Sequence, residues 1–475
     1  MQPQDKDNQL TTASPSLSTS KRNSVNKENN SGTQPIGWAL RVLVNFCRLV
    51  LGVAFVFSGY VKAIDPLGSQ YKIQDYLAAL GLQGFAPDTL TLGLAVLLSA
   101  LEFSLGIFIL FAIRRRLVSK ITLVMMICMT LITLWLIVAN PISDCGCFGD
   151  AIVLTNEQTF IKNIFLLACA VVLVKWPLGM YRFISRSNQW IAFNFTVLFI
   201  IITSIYCLYK LPIFDFRPYH VGANILKGME IPEGAPQPKF ETTFIMEKNR
   251  KRKEFSLENY PDSTWQFIDS KTIEIEKGYV PPIHDFTIQL VDGENITEQM
   301  LGQKGYSFML VSPHLSRAND SNFGDIDQIY EYAQQQSIPF YCLTASTKNE
   351  IRHWENLTGA EYPFYLTDET TLKTIIRSNP GLLLLKDGTI IRKWSHNFLP
   401  SSEDLKKPLN QLPIGQMSEE SVMGTITKVM LWFFLPLILL TLADRTWAWG
   451  KYVRRKTRLL QLRKERSKFQ ENNEE

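Results

Sequence analysis

Arg48-Leu-Val-Leu-Gly52-Val-Ala-Phe55-Val-Phe-Ser58-Gly59-Tyr-Val-Lys62-Ala-Ile-Asp65-Pro66 carries no charge between Arg48 and Lys62. With the residues before it, this stretch fills an apolar block over 36–60, about the ~20 residues that cross a hydrocarbon core. Gly52, Ser58 and Gly59 leave room for a second helix to approach closely. Lys62 is placed to snorkel to the interface, whereas Arg48 lies deeper and needs a partner or a watery cavity.

Four more apolar blocks follow at 88–113, 117–139, 159–177 and 190–210, and a sixth at 424–443. The second contains Ser99-Ala-Leu-Glu102-Phe-Ser-Leu-Gly106, so Glu102 is the candidate partner of Arg48. Ionisable residues at that depth mark function by default, and a structural Arg48–Glu102 pair that fixes helix packing is the alternative. Lys and Arg gather in the N-terminal tail, at Arg114–Arg116 with Lys120, at Lys175, Arg182 and Arg186, and from Arg445 to Lys468. Six spans put all four regions on one side, which the charge bias makes the cytoplasm. The loops 61–87 and 140–158 and the long segment 211–420 then lie outside.

The 475-residue chain is 46% hydrophobic with a net charge of +5, and its basic residues border apolar blocks. Membrane orientation explains that placement and nucleic-acid binding does not; the lipid bilayer is the expected partner. Residues 1–35 are polar and predict a disordered cytoplasmic tail; 444–475 predicts a basic cytoplasmic tail. Seven scattered cysteines exclude a disulfide-scaffold protein, and Cys47, Cys128, Cys169 and Cys207 fall in apolar blocks as buried hydrophobes.

Asp144-Cys145-Gly146-Cys147-Phe148-Gly149-Asp150 follows the third span. Cysteines two apart close only a tight ring, and strained disulfides are oxidising and labile. Gly146 and Gly149 permit the backbone such a turn needs. A redox pair, a metal site completed by Asp144 or Asp150, and a structural turn all remain open from the residues alone. In the redox case Cys147→Ser leaves Cys145 as the reactive thiol.

The first span, Glu102 and the Cys-Gly-Cys-Phe-Gly motif together resemble the DoxX/MauE superfamily of bacterial four-helix membrane proteins, over residues 36–177. The cysteine motif favours the MauE branch, associated with methylamine utilisation and maturation of a disulfide-rich periplasmic subunit. The resemblance implies a bacterial inner-membrane bundle supporting periplasmic thiol/disulfide chemistry through Cys145 and Cys147, with Glu102 and Arg48 as an intramembrane polar pair and quinone as a candidate electron acceptor.

Segment 211–281 reads as a linker with a hairpin, Thr242–Met246 and Glu254–Leu257. From 282 to 420 the pattern predicts strands at Asp285–Leu290, Tyr306–Val311, Phe340–Thr344, Leu382–Leu385 and Ile390–Trp394. Helices are predicted at Asp325–Gln336, Lys348–Thr358 and Thr370–Arg377. This stretch resembles an extracytoplasmic α/β thioredoxin-like domain, with Asn379-Pro380-Gly381 at the position of that family's cis-proline. Where the family carries Cys-x-x-Cys, this chain has Ser312-Pro313-His314-Leu315, which supplies no thiolate. Cys342 reads as core, and binding a periplasmic protein suits the domain better than catalysis. A non-catalytic scaffold and a small-solute transporter using Arg48 and Glu102 are the competing functions.

Overall fold

The computed structural model describes residues 37–82, 84, 86–142, 144–236, 239–248, 251–256, 265–276, 278–417 and 421–471. The tail 1–35, Leu257 and the last four residues lie outside these. Helices α1 (Trp38–Ile64), α2 (Pro66–Ala79), α3 (Asp88–Leu110), α4 (Arg115–Ala139), α5 (Asn156–Lys175) and α6 (Gln189–Tyr209) precede the region that carries the β-sheets. All but α2 are long and apolar enough to cross a membrane, as is the start of α12 (Val422–Glu471). Six spans result among the described residues. The region expected as a basic tail continues α12 as exposed helix.

The small residues of the opening stretch decide how α1 and α3 meet. A Cβ on Gly59 would stand 2.3 Å from the Phe103 backbone nitrogen, and one on Gly106 would stand 2.7 Å from that of Val56. The two helices therefore run antiparallel in one register, Gly52 against Leu110, Val56 against Gly106 and Gly59 against Phe103. Leu51, Phe55, Ile107 and Ile109 are buried in the core beside this crossing.

The basic loops collect at one end of the bundle. Asp444 accepts hydrogen bonds from Ser185 N at 2.8 Å, Ser185 Oγ at 2.6 Å and Asn188 Nδ2 at 2.7 Å. Arg115 Nη1 donates to Met180 O at 2.8 Å. The opposite end carries α2, the cysteine loop and the region with the β-sheets.

That region opens with α7 (Ile225–Met229) and an antiparallel sheet of β1 (Lys239–Lys248), β2 (Lys251–Ser256) and β3 (Gln266–Glu276), ordered β2-β1-β3. The expected hairpin is present, with a third strand added. Next come α8 (Thr297–Leu301), β4 (Tyr306–Ser312), α9 (Phe323–Gln335), β5 (Phe340–Thr344), α10 (Lys348–Thr358), β6 (Phe364–Leu366), α11 (Glu369–Ile375), β7 (Gly381–Lys386) and β8 (Thr389–Ser395). Their five-stranded mixed sheet is ordered β6-β5-β4-β7-β8; β4, β5 and β6 are parallel, and β7 and β8 pair antiparallel.

Both sheet faces are covered, which is why β7 reads as unbroken leucine. Phe308, Leu310, Leu382 and Leu384 pack under α9 and α10, while Met309, Val311, Leu383 and Leu385 pack with Leu372 and Ile375 of α11. Thr347 and Glu350 form the capping box that starts α10. The Asn379–Pro380 bond is cis. Asp285–Leu290, expected as a strand, is not one. Phe286 and Ile288 are buried, but the stretch has only isolated bridges at Gln289; its alternation reports burial rather than a ladder.

Candidate functional site

The cysteine loop is folded against α2. After α4, residues 144–155 turn back over the end of the bundle, and Thr155 starts α5 with a capping box to Gln158. Gly146 and Gly149 have φ of 66° and 52°, left-handed values a side chain rarely adopts. Lys72 Nζ lies 2.6 Å from Asp144 Oδ1, and Tyr76 Oη donates to Cys145 O at 2.9 Å. Ser58 Oγ of α1 donates to Cys147 O. Lys162 of α5 sits 4.1 Å from the Phe148 ring centroid, a cation–π contact.

This arrangement puts the two Sγ atoms 3.0 Å apart as free thiols. Cys145 is buried and Cys147 half-buried. The Cys145 thiol is pulled down to about 6: its contact with Cys147 favours the thiolate, and the Tyr76 hydroxyl and the Lys62 and Lys162 ammoniums add to this against the opposing cost of burial. Cys147 moves the other way, raised by its contact with Cys145 and by burial. Asp144 is drawn to Lys72, and Asp150 lies 3.3 Å from Arg377. Among the described residues no group of three His, Cys, Asp or Glu side chains is gathered as a metal site.

The expected Arg48–Glu102 pair does not form. Lys62 Nζ, not Arg48, is 2.7 Å from Glu102 Oε2, and both side chains are buried. The glycine register is the reason: it sets Lys62 opposite Glu102 and leaves Arg48 fourteen residues back along α1, about 21 Å at 1.5 Å per residue. Lys62 therefore does not snorkel outward. Arg48 instead donates to Ile109 O at 3.0 Å, to Leu110 O and to Tyr181 O at 2.8 Å. It clamps the last carbonyls of α3, where the helix dipole is negative. In this geometry Arg48 is hydrogen-bonded at the end of α3, and Glu102 is paired with Lys62 instead.

Glu102, Lys62, Ser58 and Cys147 form a connected line. Lys62 Nζ reaches Glu102 and, at 3.3 Å, Ser58 Oγ, which in turn reaches the Cys147 carbonyl. Beside it lies a cavity of about 760 Å³, with Lys62, Tyr76, Cys145 and Cys147 on its polar side and Leu98 and Met125 of α3 and α4 on its apolar side. Lys373 and Arg377 of the α/β region close its outer edge.

Within the α/β region the sulfur-free loop is packed and satisfied. Ser312 Oγ donates to Asn379 Oδ1 at 2.7 Å, His314 Nε2 is 2.9 Å from Glu369 Oε1, and Leu315 is buried. Cys342 is fully buried, and burial pushes its thiol up, as the core reading requires. Lys62 as Glu102's partner, Tyr76, Lys72, Asp65 and Arg377 are the site residues that sequence reasoning missed. One signal was available: Ser58 and Lys62 fall four residues apart on one face of α1, with Asp65 just past its end.

The family model described as methylamine utilisation protein MauE matches residues 40–175. A second model, described as a domain of unknown function (DUF8463), matches residues 240–277, the span of β1 to β3. No curated protein and no solved structure matches the chain. The MauE match covers α1 to α5 with the cysteine loop, and with six apolar helices the chain is a multi-pass membrane protein that is similar to MauE over residues 40–175.

Proposed function

We propose that Cys145 and Cys147 form a dithiol/disulfide couple that oxidises an extracytoplasmic thiol protein and passes the electrons to a lipid-soluble quinone. The observation that carries this reading is the juxtaposition of two Sγ atoms 3.0 Å apart with a cavity walled by membrane helices. In the oxidised state a partner thiolate attacks the less buried sulfur, Cys147. The S–S bond breaks and Cys145 leaves as the thiolate that its surroundings favour. The partner's second thiol then attacks the mixed disulfide, so the partner leaves oxidised and the pair is left reduced. Reoxidation moves two electrons and two protons to a quinone, which becomes quinol. Glu102, Lys62 and Ser58 are the hydrogen-bonded groups next to the pair that can carry those protons.

The orientation belongs to the same proposal: a bacterial inner membrane, both termini cytoplasmic and 211–420 periplasmic. Segregation of the basic loops to the end of the bundle opposite the cysteine loop supports it. We also read 282–420 as thioredoxin-like, supported by the strand order and the cis Asn379–Pro380 bond beside Ser312. Without sulfur in that loop the domain serves as a docked binding module. The same docking favours a second reading, a non-catalytic scaffold.

Trapping separates the two. Since Cys145 is the more buried thiol, Cys145→Ser should accumulate a mixed disulfide between Cys147 and a periplasmic protein on non-reducing gels, and Cys147→Ser should accumulate far less. This reverses the roles expected from spacing alone. If neither variant traps a partner and both thiols of the unaltered protein alkylate fully without reductant, the redox reading fails and the scaffold remains.

A further inference from the structure

Arg377 belongs to the α/β region, three residues before Pro380, yet its guanidinium is buried against the end of the helical bundle. Its Nη2 lies 2.9 Å from Asp65 Oδ2 and 3.3 Å from Asp150 Oδ2, and its Nε is 3.0 Å from both Asp65 oxygens. The Tyr71 ring centroid is 5.3 Å from the guanidinium carbon. Each carboxylate leads to one side of the cysteine pair. Asp65 caps α2 by accepting from Gly68 N, and α2 carries Tyr76 and Lys72, which hold Cys145 and Asp144. Asp150 sits in the 3-10 turn Gly149–Ala151, three residues after Cys147.

We propose that Arg377 is a positioning residue for the cysteine pair: by clamping Asp65 and Asp150 together it locks α2 against the cysteine loop. The docked α/β domain thereby sets how reactive the thiols are. Without Arg377, the largely buried Asp65 and the more exposed Asp150 lose their shared cation, repel each other and part α2 from the loop. Tyr76 then withdraws from Cys145. The groups facing Cys145 are Cys147, Tyr76, Lys62 with its partner Glu102, and Lys162, with the Lys72–Asp144 pair alongside. Of these, Tyr76 and Lys72 are the ones that α2 carries and Arg377 holds in place.

The purpose of this arrangement rests on the redox reading, but its test does not. In fully reduced full-length protein in nanodiscs, the alkylation rate of the Cys145 peptide is followed against pH by mass spectrometry. Arg377→Ala should raise the midpoint by about one pH unit, making alkylation roughly tenfold slower at about pH 5 and about twofold slower at about pH 7, because the thiolate is the reacting form. Arg377→Lys should recover part of the shift, and Asp150→Asn should move the midpoint the same way by less. A purely structural role would lower thermal stability and leave the midpoint in place. An Arg377→Ala protein that elutes as wild type with an unchanged midpoint overturns the proposal. Should that variant not fold, unchanged midpoints in both Arg377→Lys and Asp150→Asn overturn it instead. Failed trapping with a shifted midpoint sinks the redox reading alone; successful trapping with no shift sinks the role of Arg377 alone.

Discussion

Removing Lys62 tests the centre of the site most directly. Its ammonium lies 2.7 Å from Glu102 with side-chain exposures of 10% and 8%, and it is the salt-bridge partner of Glu102 among the described residues. Lys62→Met keeps the length and volume of the side chain but leaves a carboxylate buried among helices. Breaking one side of a buried pair costs about 3–5 kcal/mol. For a folding unit of this size that is a fall of about 10 °C in Tm, taking roughly 3 °C per kcal/mol. Glu102→Leu should cost a similar amount by stranding the ammonium. The double variant Lys62→Met/Glu102→Leu strands nothing and should return to within about 2 kcal/mol of wild type, since buried pairs replaced by apolar groups are close to neutral. The two single effects are thus strongly non-additive. Thermal unfolding in detergent, followed by the fluorescence of a thiol dye on the buried cysteines, measures all four proteins. Reoxidation of the reduced cysteine pair by added quinone is read in parallel, and the double variant should be stable but slow. A double variant as unstable as the sum of the singles would refute the energetic argument. A stable double variant that reoxidises at the wild-type rate would refute the relay.

Other consequences follow from separate parts of the molecule. Gly59→Val should cost at least about 3 kcal/mol, because the new Cβ meets the Phe103 backbone, which cannot turn aside. Gly37→Ala, with open space around it, is the control in the same thermal assay. Asp215 is held at about 2 against an ordinary 3.8: burial would raise it, but Lys393 and Arg217 outweigh that cost. Its folded value is depressed, so it contributes about 2 kcal/mol that is present above pH 4 and lost as pH falls toward 2. Asp215→Asn should flatten the acid limb of a pH–stability curve, and an unchanged limb would count against this pairing. Protease added to spheroplasts should digest 211–420 and spare a C-terminal tag; a protected domain would invert the proposed orientation.

How far the fold was legible depended on whether a local pattern fixed the answer. Strands β4, β5, β7 and β8 were readable because they are short apolar runs, β5 followed by a helix with a clear cap in Thr347 with Glu350, and β7 joined to β8 by a tight turn. β3 was readable too, since Lys271-Thr-Ile-Glu-Ile-Glu276 alternates strictly, but it was overlooked. α2 was missed because it is neither apolar enough to span nor strongly amphipathic. Its signal is local: Asp65 as cap with Pro66 at the first helical position. β6 has three residues, too few for any periodicity to show.

The site itself could not be read by these means, because its parts meet only through helix register and docking. α1 offers three cations, Arg41, Arg48 and Lys62, and hydropathy favours Arg48, the deepest, as the partner of Glu102. What decides between them is which backbone atoms of α3 lie against Gly52 and Gly59. A change of one helical turn in that register would move Lys62 about 5 Å along the axis and away from the carboxylate. Glycine contacts and ion pair are therefore one specification: the close packing selects the register, and the register buries a pair that tolerates no other. The cysteine loop extends the same logic across domains. Asp65 and Arg377 are 312 residues apart, and their contact at 3.0 Å exists only once the α/β domain has folded and docked. A helical bundle without that domain would keep its cysteines but lose the cation that holds α2 against them, so the chemistry proposed for the pair is a property of the assembled chain.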